Sequence, residues 1–129
     1  MQMSNVAKDQ TFEDQMNYFE NARVENELDT VWSIYEVNDI NAKCAIKVAN
    51  KRVVYESINP NATTEDIMAD LRDGGNRSIA QYSMFVGGDT WVDLWKAANS
   101  VIKQSGTHHK YIEDFTMNDD GELELTTGS

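Results

Sequence analysis

The chain has 129 residues, with 22 Asp and Glu against 11 Lys and Arg and a net charge of −11. That length is one ordinary domain, and the charge excludes a broad basic face for nucleic-acid phosphates and attachment to anionic membranes. A single cysteine, Cys44, excludes an internal disulfide and a cysteine zinc cluster.

The first ten residues read as a flexible polar arm without the apolar core of a signal peptide. No stretch approaches the roughly 20 apolar residues of a membrane span. The expected location is therefore cytoplasmic.

A single α+β domain is expected over 11–129. Thr11 offers an N-cap, with Phe12, Met16, Phe19, Val24 and Leu28 recurring at helical spacing. This predicts an amphipathic helix over about 12–28, with Glu13, Glu20 and Glu27 on another stripe. Its distinct charge marks it as a candidate add-on to a core formed by 31–127. Three strands follow: 31–37, rich in β-branched and aromatic residues; 43–49, in which Cys44, Ile46 and Val48 alternate with Lys43 and Lys47; and 52–58. Together they predict an antiparallel meander.

Asn59-Pro60 ends that sheet segment, and Thr63 with Asp66 forms a capping-box pattern before a short helix. Ile67, Met68 and Leu71 mark its expected inner face, and Gly74-Gly75 its stop. A fourth strand covers 79–86. Asp89 or Thr90 caps a helix over about 91–104, with Trp91, Trp95, Ala98 and Ile102 in one stripe. That spacing suits a core or an oligomer interface. Strands over 108–117 and 122–127 flank an Asp120-Gly121 hairpin signal. The order α-βββ-α-β-α-ββ predicts a mostly antiparallel six-stranded sheet with three helices.

Charge is unevenly spread. Residues 1–30 hold seven acids against Lys8 and Arg23, and residues 113–129 hold six acids and no base, while 31–112 is neutral. Acidic groups held on a helix and a hairpin can steer association with a basic surface. Glu13, Glu20, Glu27, Glu122 and Glu124 are therefore the candidate partner-binding residues. The expected partner is a basic protein surface, with nucleic-acid-binding proteins among the candidates, and a homo-oligomer is left open.

The segment Gly74-Gly75-Asn76-Arg77-Ser78 is an alternative, ligand-binding candidate. Consecutive glycines free backbone N–H groups for an anion nest, and a guanidinium fork suits phosphate. Gly75, Asn76, Arg77 and Ser78, with Tyr82 for stacking, would hold a phosphorylated or nucleotide ligand. The preceding helix C-terminus has the wrong dipole for that task. A weaker alternative is acid–base chemistry by His109 and Glu113 on one strand face. None of the common catalytic motifs is present, so no catalytic residue, metal or cofactor is assigned. The sequence-level expectation is a small acidic non-enzymatic binding protein, an inhibitor or modulator of phage-accessory or nucleic-acid-mimic type.

Overall fold

The computed structural model describes the backbone of residues 2–129 and side chains from Phe12 onward. In chain order the elements are α1 (Gln2–Glu25), β1 (Val31–Trp32), β2 (Arg52–Ile58), α2 (Thr64–Asp73), β3 (Ile79–Phe85), α3 (Trp91–Ser105), β4 (Tyr111–Met117) and β5 (Leu123–Gly128). The strands form one mixed sheet in the order β1-β4-β5-β2-β3. The contacts β1/β4 and β5/β2 are parallel, whereas β4/β5 and β2/β3 are antiparallel. No described helix is long and apolar enough to cross a membrane.

The α+β class and three helices agree with the sequence, but the sheet has five strands and is mixed, not six and mostly antiparallel. The expected meander is absent. The 43–49 run alternates in sequence, yet its backbone bonds to the turn before α3 instead of to a strand. Cys44 N–H donates to the Asp89 carbonyl (2.8 Å), and Ala49 N–H donates to Asp89 Oδ1 (2.9 Å). Lys43 makes one isolated bridge, to Thr90. Alternation predicts a strand only where a partner edge is free to accept the ladder. The expected 31–37 strand shrinks to two residues for a related reason. Its aromatics serve packing: Trp32 enters the core, and Tyr35 meets Phe12 and Phe19.

Two helix starting signals hold, whereas Thr11, expected to cap the first helix, lies inside α1, which already runs from Gln2. Thr63 caps α2 and Thr90 caps α3, each with a reciprocal capping box to Asp66 or Asp93. Gly74 and Gly106 end these helices in the left-handed conformation, at φ +70° and +68°. α1 stops before the predicted 28. Leu28 N–H turns back to the Arg23 carbonyl and Glu27 N–H to the Val24 carbonyl, the Schellman pattern, with Glu27 at φ +56°. The segment 1–10, expected as an arm, is taken up by α1 from Gln2 onward; its side chains lie outside those described.

α3 covers one face of β2 and β3. Its Leu94, Trp95, Ala98, Val101 and Ile102 join Val53, Ile112, Leu123 and Trp32 in one buried cluster. Phe19 and Ala22 of α1 belong to the same cluster. α2 differs: none of its residues is buried, and Met68 and Leu71, expected on an inner face, are exposed.

Candidate functional site

Period-2 alternation assigns each strand residue to a face. Val53, Tyr55, Leu123, Leu125 and Ile112 point toward α3 and are buried. The intervening positions make the opposite face, which none of the described helices covers. It carries Glu56 on β2, Glu122 and Glu124 flanking or within β5, and Glu113 and Asp114 on β4. The register sets Glu124 beside both Thr116 and Val54, and Asp114 beside Thr126. The irregularity between Ile112 and Asp114 inserts Glu113. Glu113's carboxylate lies over Gly128, where a Cβ would collide with it.

A shallow depression of about 340 Å³ opens on this face, between Glu56, Gln81, Asn118, Asp120, Glu122 and Glu124, over Val54. The β4–β5 hairpin forms its rim. Asn118 Oδ1 accepts from the N–H groups of Asp120 (3.0 Å) and Glu122 (2.9 Å), while its Nδ2 donates to Glu122 Oε1 (3.2 Å). Arg52 forms an ion pair with Glu122 at the edge of the depression. The Asn118 amide, and next the Arg52 guanidinium, hold the Glu122 carboxyl below the usual carboxylate range. The face therefore holds a net excess of fixed negative charge, oriented by a rigid sheet.

The five candidate partner-binding residues do not form one patch. Glu122 and Glu124 lie on the open face. Glu13 and Glu20 are on α1, which packs beside β1 at the far edge of the sheet from β3. Glu20 is engaged by Arg23 (Nε···Oε2 3.0 Å), and this hydrogen bond lowers its pKa. Glu27 is exposed at the left-handed stop of α1. Sequence reasoning did not place Glu56, Glu113 or Asp114 among the partner-binding residues, although Glu113 and Asp114 lie in the acidic 113–129 run. Alternation marks Glu56 as outward, and the irregularity after Ile112 brings the adjacent Glu113 and Asp114 to the same face.

The Gly74–Ser78 loop has its donors engaged by the chain's own carboxylates. Asp70 Oδ1 accepts from Arg77 N–H, and Asp70 Oδ2 from Ser78 N–H, both at 2.8 Å; the Ser78 hydroxyl also donates to Asp70. Gly75 N–H donates to Asp73 Oδ1 (2.9 Å), and Arg77 grips both Asp73 oxygens (2.9 and 2.6 Å). These bonds hold the Asp70 and Asp73 carboxyls below their ordinary pKa, through Ser78 for Asp70 and Arg77 for Asp73. Gly75 N–H is taken by Asp73 and Gly74 N–H by the Asp70 carbonyl at the helix cap, so the chain itself occupies the glycine donors. Asn76 is exposed in this loop. Tyr82 points to the α3 side and packs against the core cluster.

His108 and His109 precede β4 and are exposed. They border a broad depression with Tyr55, Ile58, Pro60, Ile79 and Thr127; Glu113 is not part of it. Among the described residues no group of His, Cys, Asp and Glu is arranged to hold a metal ion. Cys44 is half-buried, and burial, with Asp89 and Asp93 nearby, pushes its thiol up to about 11.

Comparison with protein-family models, curated proteins and solved structures finds no match to this chain.

Proposed function

We propose that this is a small acidic binding protein that acts on a basic surface of a partner protein, as an inhibitor or modulator. The observation that carries the reading is the uncovered sheet face, where Glu56, Glu113, Asp114, Glu122 and Glu124 stand on three adjacent strands. Carboxylates fixed on a sheet lose little freedom on binding, so their field is organised before contact. Neighbouring strands lie about 4.8 Å apart, and charges spaced on that scale can meet Lys and Arg side chains that otherwise bind phosphates. A nucleic-acid-binding protein is the partner class this favours. α1, with Glu13, Glu20 and Glu27, adds long-range attraction from the sheet edge.

The alternative ligand site at Gly75, Asn76, Arg77 and Ser78 would require Asp70 and Asp73 to release the donors they hold.

The reading is tested by capture from cell extract on the immobilised protein, followed by competition. Basic proteins retained at low salt should elute with added DNA or RNA. The variant Glu56→Gln/Glu122→Gln/Glu124→Gln should lose them while keeping its fold. Equal retention by that variant would exclude the open face as the contact.

A further inference from the structure

The two edges of the sheet are unlike. β1 is two residues long, and α1 lies against it. β3 is seven residues long and ends the sheet with no described element beyond it. Its ladder to β2 runs without a register shift from Ile58↔Ile79 to Arg52↔Phe85. Asn59 N–H donates to the Ser78 carbonyl (2.7 Å) and Val86 N–H to the Lys51 carbonyl (2.9 Å). Ser78, Ala80, Tyr82, Met84 and Val86 thus turn their backbone groups to β2. Gln81, Ser83 and Phe85 turn theirs outward, where nothing among the described residues bonds to them.

Natural sheets protect such an edge with charge, proline, a bulge or a short strand. β3 has none of these. Residues 78–88 contain no charged side chain and no proline, the longest uncharged run in a chain otherwise rich in acids. Two chains that each carry −11 repel except where the contact is neutral. β3 supplies the neutral strip. It is also self-complementary. About a two-fold axis at Tyr82, Gln81 falls opposite Ser83 of a second copy and Phe85 opposite Ile79. These are outward-turned residues on both sides, as an antiparallel hydrogen-bonded pair requires. Phe85 and Ile79 are 62% and 38% exposed, and Ile58, the β2 neighbour of Ile79, is 56% exposed. The pairing would line these three up across adjacent strands, on the open face.

We propose that a second copy of this chain pairs antiparallel along β3, joining two five-stranded sheets into one closed, two-fold dimer. About six new main-chain hydrogen bonds form, since Ile79 N–H is already used by the Asn76 carbonyl. The two acidic faces then lie on the same side, separated by the neutral Phe85–Ile79 seam. This pairing does not rest on the partner reading above, and salt tells them apart. Screening strengthens contact between two acidic chains, whereas it weakens contact with a basic partner.

Light scattering after size exclusion, over a concentration series at low and high salt, reads the outcome. The chain should reach twice its single-chain mass, at lower concentration in high salt. Ser83→Pro removes an outward N–H and leaves the β2 ladder intact. Phe85→Glu places a carboxylate opposite Ile79 of the other copy. Both should remain at single-chain mass with unchanged circular dichroism; if Ser83→Pro fails to fold, Phe85→Glu decides. A single-chain mass for the unaltered protein throughout, open-ended larger species, or dimers in Phe85→Glu would overturn the proposal.

Discussion

Asn99 is a residue whose role its position alone conceals. It sits in the buried stripe of α3, one turn from Trp95, and is 7% exposed. Its Oδ1 accepts from Asp29 N–H (2.9 Å), Thr30 N–H (3.0 Å) and the Thr30 hydroxyl (2.8 Å). Trp95 Nε1 donates to the same hydroxyl (3.0 Å). The network fastens the segment between α1 and β1 to α3. Asn99→Leu would leave those donors unsatisfied in the core, costing about 2–4 kcal/mol by denaturant titration. Glu27 is the opposite case. A side chain at φ +56° is strained, so Glu27→Gly should stabilise the fold by roughly 0.5–1 kcal/mol. An unchanged midpoint would show that the strain is relieved elsewhere. At Cys44 the thiol, raised from 9.0 to about 11, is almost wholly protonated at pH 8. Iodoacetamide should therefore modify it on the order of 100-fold more slowly in the native chain than in urea. Equal rates would mean the thiol is not desolvated.

At the scale of elements, the separate charge of α1 suggests an add-on, while its packing ties it to the core. Phe19 and Ala22 are 3% and 5% exposed, in the cluster that holds Trp32. Phe19→Ala should cost about 3–5 kcal/mol. A chain starting at Asp29 is expected to melt cooperatively at a lower temperature; a broad, non-cooperative transition would make α1 integral to the domain. α2 and α3 were legible because caps are local: Thr63 with Asp66, and Thr90 with Asp93, need no tertiary information. Strand pairing is not local. The 43–49 run carries strand periodicity, but whether it pairs depends on what lies beside it, and Asp89 takes the N–H groups of Cys44 and Ala49. The candidate site divides along the same line. Glu122 and Glu124 were visible as a charge run beside an Asp-Gly turn. Glu113 and Asp114 lay in the same run, but Glu56 joined them only through the order β4-β5-β2, which no sequence spacing encodes. Likewise the glycines at 74–75 point to a nest, but not to the Asp73 carboxylate and Asp70 carbonyl that take their N–H groups.

For the whole molecule, the charge layout and the sheet topology lead to one physical picture. One face is closed by α3 and makes the core; the other presents carboxylates on three adjacent strands and faces outward. The central claim is that this open face does the binding. Exposed charges act mostly on encounter, and their field decays over about 8 Å at physiological ionic strength. Association and dissociation rates of a captured basic partner, measured across a salt series, test that claim most directly. The account predicts that salt slows association at least tenfold with little change in dissociation, and that Glu56→Gln/Glu122→Gln/Glu124→Gln flattens the salt dependence. Glu13→Gln/Glu20→Gln/Glu27→Gln should flatten it less. Association that is independent of salt, or identical between the unaltered protein and the open-face variant, would contradict it.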